Sequence, residues 1–217
     1  MNPIAFLFLI LALAVATIAQ PAEIKAVRAH RQTHEIDIIN EFTRLLAIPN
    51  VASDLPNIRR NAALISQMLI ARGVKPELIE LPNVPPVVYG EIKTPGATRT
   101  LIFYVHYDGQ PVEPAKWVGS DPFKPTLRSA SLEAGGQDIS FPAKGQPFNP
   151  EWRLYARSTG DDKAPIITLL AALDALKINK IALTSNIKFF FEGEEEAGSP
   201  HLEQIVAKYP EHVKGDV

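Results

Sequence analysis

The sequence predicts an α/β fold, with helices packed on a mixed, largely parallel central sheet. Segments whose apolar residues recur at helical spacing alternate along the chain with short apolar runs of strand length. The run Thr100–Val105 carries Leu101, Ile102, Phe103 and Val105, as a strand buried in a sheet does, and stops abruptly in His106, Tyr107, Asp108 and Gly109. Apolar residues make up 46% of the 217, ample for a core, and the length allows one domain, or one and part of another.

Each element has its own signal. Thr33–Ile48 repeats Ile36, Ile39, Phe42 and Leu45/Leu46 at helical spacing, with Thr33 as the expected N-cap and Pro49 as the stop. A second helix is expected over Pro56–Arg72, opened by Pro56 and closed by Gly73, with Ile58, Ala62, Ile65 and Leu69 on one face. Strands are expected at Glu77–Leu81, Val87–Ile92 and Thr100–Val105, and the Pro95-Gly96 turn pairs the last two as a hairpin. Gln110 to Glu151 is rich in Pro, Gly, Ser and Lys and reads as a long surface excursion. Arg153–Arg157 is a short strand. Asp162–Leu176 is a helix with Ile166, Leu169, Leu170, Leu173 and Leu176 inward. Asn186–Phe191 is another buried strand, and Pro200–Tyr209 carries Leu202, Ile205, Val206 and Tyr209 at helical spacing. There is no internal repeat.

Composition narrows the function. A net charge of −2 leaves no electrostatic footprint for nucleic acid. The absence of cysteine excludes disulfides, thiolate metal sites and a cysteine nucleophile, and leaves the redox compartment undecided. Residues Ile4–Ala19 are uncharged and end in small residues. They are shorter than the roughly 20 residues of a bilayer span. The fit is to a signal peptide over residues 1–19, cleaved after Ala16 or Ala19, and to export to the periplasm or the cell exterior. No Lys or Arg precedes the run, so only the α-amine supplies the positive start. An uncleaved anchor that holds the protein at a surface is the alternative.

Three strand ends carry the chemistry. His106 and Asp108, two apart at the mouth of a strand, point to one side, because strand side chains repeat with period two. A polar turn with His106 merely bonded to Asp108 would also explain them. Arg153–Arg157 runs into Ser158-Thr159-Gly160-Asp161-Asp162-Lys163, where an Asp beside a helix start is also a good cap. Asn186–Phe191 runs into Glu192-Gly193-Glu194-Glu195-Glu196-Ala197-Gly198. Clustered acids usually face solvent, but these follow three consecutive Phe at the end of a buried strand. Crowded carboxylates raise one another's pKa unless a cation sits among them. One imidazole with several carboxylates and no thiolate suits zinc, with manganese or cobalt as alternatives. A carboxylate beside the metal would act as general base for a bound water, whose pKa the metal lowers to about 7. That is chemistry for hydrolysing an amide or similar acyl bond. His30 and His34, four apart, could share a helical face, but no carboxylate is positioned to complete a site with them.

His106-Tyr107-Asp108, Asp161-Asp162-Lys163 and Glu195-Glu196-Ala197-Gly198, in this order, resemble the carnosinase, carboxypeptidase G and aminoacylase group, the co-catalytic zinc peptidases of family M20. The residues after the first motif (GQP), Trp117 with Asp121-Pro122-Phe123, RLYAR before the second motif and the phenylalanine strand before the third extend the match. It covers nearly everything from Thr33 onward. The ordered triple motif is specific; any one alone is weak. The resemblance implies a zinc-exopeptidase-like catalytic domain that acts on small peptides or N-acyl amino acids with two Zn2+ ions. His106 would bind one zinc, Asp161 would bridge both and Glu196 would bind the other. Asp108 would fix the His106 tautomer from behind, and Glu195 would be the general base.

Departures from the pattern are also visible. The loop between Trp117 and Arg153 is longer than in carnosinase-like members, and Ser158 and Ala164 stand where many relatives have Gly. The family has a further acidic ligand, a last His and an inserted lid domain that mediates dimerisation and helps bind substrate. Asp216 arrives early for that acid, and His201 and His212 are misplaced for that His. Residues 20–217 therefore read as the N-terminal part of the catalytic domain, incomplete at the C-terminus. A homodimer is expected only with the lid present, and metal binding and activity should be weak without the missing ligands. A non-catalytic peptide-binding protein on the same scaffold is the competing reading, against which Glu195 argues, since a binding module needs no base.

Overall fold

The computed structural model describes residues 21–117 and 119–217. The expected signal segment at residues 1–19 lies outside the described residues, among which no helix is long and apolar enough to cross a membrane.

Helix α1 (Ala22–Thr33) occupies what reads in sequence as a polar lead-in, and α2 (Glu35–Leu46) follows after a break at His34. Thr33 is thus the end of α1 and not an N-cap; its hydroxyl donates back to Ala29 O at 3.1 Å and His30 O at 3.0 Å. That back-bonding is the usual competitor to capping by Thr. Helix α3 (Leu55–Ala71) has Asp54 as its cap, accepting from Asn57 N at 3.3 Å, with Pro56 in the first turn. Phe42, Leu45 and Leu46 of α2 and Ile58, Ala62, Ile65 and Leu69 of α3 are buried, which is the face their spacing predicts.

Among the described residues six strands follow: β1 (Pro76–Ile79), β2 (Val87–Ile92), β3 (Thr100–His106), β4 (Thr126–Arg128), β5 (Arg153–Tyr155) and β6 (Asn186–Glu192). Helix α4 (Ala164–Ile178) lies between β5 and β6, and α5 (Leu202–Lys208) follows β6. The central sheet has the order β1-β2-β6-β3. It is mixed, as expected, but only the β3/β6 pairing is parallel, so it is less parallel than the sequence predicts. Nor do β2 and β3 form a hairpin, because β6 lies between them. The reason is the triple phenylalanine. Phe189 and Phe191 enter the core under α2, α3 and α4, while Phe190 enters a smaller core on the opposite face, beneath α5. A strand apolar on both faces belongs inside a sheet. The turn at Pro95-Gly96 reverses the chain, and Thr94 bonds to Ser185 O at 2.8 Å and to Asn186 Oδ1 at 2.9 Å, at the start of the intruding strand.

Strands β4 and β5 form a separate antiparallel ribbon, so the expected strand at Arg153–Arg157 is shorter and outside the central sheet. The motif after it therefore reaches the site without help from sheet register.

Candidate active site

Strands β3 and β6 run parallel with His106 opposite Glu192, so both stop at one level. Tyr107 N donates to Glu192 O at 2.8 Å and extends the pairing into the turns. The turn after β6 approaches so closely that a Cβ on Gly193 would lie 2.5 Å from the Tyr107 hydroxyl, which explains glycine there. That hydroxyl donates to Pro86 O.

Asp108 is 0% exposed. Its carboxylate accepts Glu195 N at 3.1 Å through Oδ1 and Glu196 N at 3.0 Å through Oδ2, the amides that open the short helical turn Glu195–Ala197. These charge-assisted bonds fasten the first motif to the third. His106 Nδ1 stands 3.3 Å from Asp108 Oδ1, within ion-pair reach, so the Asp108 carboxylate faces the ring from behind. The other ring nitrogen, Nε2, meets Asp161 Oδ1 at 2.9 Å and lies 3.7 Å from Glu195 Oε2. The Asp161 side chain is 81% exposed, while the imidazole is buried.

The electrostatics follow from this crowding. Burial works against a charged His106, yet Asp108, Asp161 and Glu195 outweigh it and raise its pKa to about 9. Burial raises Glu192 and Asp162 above the usual carboxylate range; Tyr104 donates to Glu192 Oε2. Burial also brings Lys163 down to about 7; its Nζ donates to Leu45 O at 3.0 Å and Asn61 Oδ1 at 2.7 Å.

The structure brings His106, Asp108, Asp161 and Glu195 together. The Glu196 carboxylate turns instead to Gln110, which donates to its Oε2. Asp216 bonds Thr100 N at 2.8 Å, at the far end of β3 from His106. Acids crowded about a buried imidazole favour positive charge there, and the donor types fit a divalent cation of the zinc class. His106 and Asp161 are the donors in contact. Among the described residues no group of three or more His, Asp or Glu is arranged to hold a metal ion.

Several participants have structural partners that the sequence does not announce. Glu194, buried, accepts from His201 N at 3.0 Å and faces its Nδ1, which shapes the third turn. Asn50 and Ser158 join the first two turns, 108 residues apart. His30 and His34 stack at 4.0 Å at the α1/α2 junction, away from these residues.

A profile of Peptidase family M20/M25/M40 matches residues 102–216. The chain is 26% identical over 182 residues to the Cys-Gly metallodipeptidase dug1 of Schizosaccharomyces pombe, covering 78% of this chain and 34% of that protein. It is 30% identical over 168 residues to the human Beta-Ala-His dipeptidase, covering 77% and 28%. Among solved structures, human carnosine dipeptidase 1 superposes with a TM-score of 0.67 at 25% identity, covering 87% of this chain and 38% of that one. The M20 family metallo-carboxypeptidase Sso-CP2 of Sulfolobus solfataricus gives 0.64 at 30% identity, covering 82% and 36%. The chain thus spans about a third of the length of the curated relatives it matches.

Proposed function

The chain belongs to peptidase family M20/M25/M40, and from that premise we propose that it carries the first part of the catalytic centre of a metal-dependent hydrolase that cleaves the amide bond of small peptides or N-acyl amino acids. The carboxylate of Asp108 is the observation that supports this. It accepts two amides of the Glu195–Ala197 turn while standing behind His106, whose far nitrogen meets Asp161. Three distant segments thereby converge on one set of donors.

In this reading His106 and Asp161 would hold a divalent cation, zinc foremost with manganese or cobalt as alternatives. Asp161 and Glu196 would hold a second ion. The ions would supply Lewis acidity toward the scissile carbonyl. Every other task falls to the chain. Asp108 keeps the His106 ring oriented and its outer nitrogen free to donate a lone pair. Glu195 takes a proton from the attacking water as its oxygen bonds to the carbonyl carbon. It then delivers that proton to the departing nitrogen as the C–N bond breaks, leaving a carboxylic acid and an amine; the acid's remaining proton passes to the amine or to solvent, which gives the carboxylate.

The test is amino-acid release from dipeptides by the intact protein, with and without added zinc. Glu195→Gln should lower the rate by about 100-fold or more while peptide binding persists. Should wild type and variant bind peptide equally and neither cleave it, the scaffold is a binding protein and the hydrolase reading is lost.

A further inference from the structure

We propose that Asn50 is a positioning residue, whose buried side-chain amide ties the turn bearing His106 and Asp108 to the turn bearing Asp161 and so sets the separation of His106 from Asp161. The inference rests on the reading above, in which those two groups hold a cation.

Asn50 lies between α2 and α3 and is 0% exposed. Its Nδ2 donates to Tyr107 O at 3.2 Å and to Ser158 Oγ at 2.7 Å. The Ser158 hydroxyl donates onward to Asp108 O at 3.2 Å, and the backbone carbonyl of Asn50 accepts Gly109 N at 2.9 Å. Four hydrogen bonds therefore knot three segments that are remote in sequence. Tyr107 adjoins His106, and Ser158 opens the turn that ends in Asp161.

Two further features point to positioning and not merely to filling. The Asn50 Oδ1 is buried without a hydrogen-bond partner. Rotating the amide would set that oxygen against Tyr107 O, so the orientation is dictated by the two donors. An apolar side chain would avoid the unpaired carbonyl altogether. Contact at the knot is also tight: a Cβ on Gly109 would fall 2.2 Å from Ser158 Oγ, so the first turn presses directly on the second. The second turn is held at its other end by Lys163, through α2 and α3. The Asp161 carboxylate itself is solvent-facing, so its place opposite His106 is set by this backbone.

Ser158→Gly separates positioning from stability. Ser158 has φ +62°, a conformation that glycine adopts freely, so the variant loses only the bridging hydroxyl and should fold. Asn50→Asp keeps the shape but replaces both donors with an oxygen. In the intact protein, zinc dissociation constants by chelator competition, the visible spectrum of bound Co2+ and the melting temperature should be measured together. The expected result is a dissociation constant weaker by about 10-fold or more in both variants, as for partners that orient ligands, with altered cobalt bands and Ser158→Gly melting near wild type. A Ser158→Gly protein with wild-type zinc affinity and cobalt spectrum overturns the proposal, as does a lower melting temperature at unchanged affinity in either variant. If wild type itself binds neither ion, the metal reading falls and takes this inference with it. That failure shows in the wild type, the other only in the variants.

Discussion

The two halves of the candidate site are held by different means. His106 and Asp108 on one side, and Glu195 and Glu196 on the other, extend from neighbouring parallel strands whose register sets them level, and Asp108 clamps the two turns together. Asp161 comes from a turn that follows a ribbon outside the sheet. It hangs from side chains: Ser158 on Asn50 at one end, Lys163 on Leu45 and Asn61 at the other. The first half is as rigid as the hydrophobic core beneath it. The second is as rigid as a few hydrogen bonds. Damage to the core should therefore be global, while damage to the suspension should be local.

The sheet-borne half is broken most severely through β6. Phe191 is fully buried, one residue before the level at which His106 and Glu192 pair. Phe191→Ala should cost about 3–5 kcal/mol, through lost burial and the cavity left behind. Urea unfolding should show a lower midpoint with little change in slope. A loss below about 1 kcal/mol would mean that β6 is not the structural base of this half.

The suspended half should fail more gently. Lys163→Met keeps the volume but leaves Leu45 O and Asn61 Oδ1 without their donor. Each lost partner costs on the order of 1–3 kcal/mol. Removal of a buried ammonium, already disfavoured by burial, offsets part of that. The net loss should be about 1–2 kcal/mol, with hydrogen exchange accelerated more in residues 158–163 than in β3 and β6. Equal acceleration in both regions would erase the distinction between the halves.

The same distinction separates what was legible in the sequence from what was not. Apolar runs that end in His106 and Glu192 announce strands and their chemistry locally, because burial and period are properties of adjacent residues. Strand order was not legible: the Pro95-Gly96 turn suggests a hairpin, and only the demand of Phe189, Phe190 and Phe191 for two apolar faces reveals why β6 intervenes. Helix α1 gives a weak signal because polar and charged residues outnumber the apolar ones in AEIKAVRAHRQT. The knot of Asn50 with Tyr107 and Ser158 spans 57 and 108 residues, and no local pattern encodes a partner at that distance. Asp161 was legible as a residue but not in how it is held.

The smallest expected effect probes the support behind the suspended half. Helix α1 packs against α4, the helix that begins where the Asp161 turn ends, and His30 is the buried residue of α1. Burial lowers the pKa of His30 below 6.5, the stacked His34 adds to this, and Asp174 on α4 opposes it. Because the folded pKa is depressed, the unfolded chain takes up the proton first. The contribution of neutral His30 to stability is therefore present above 6.5 and lost as pH falls below it. Hydrogen exchange, corrected for its intrinsic pH dependence, should speed up in α1 as pH falls below 6.5, because the opened helix takes up the proton more readily than the folded one. The amides of β3 and β6 should not respond. His30→Gln should remove the pH dependence, since the amide cannot charge. If α1 exchanges at one rate across this range in the wild type, protonation of His30 does not loosen it, and α4 draws its stiffness from the core alone.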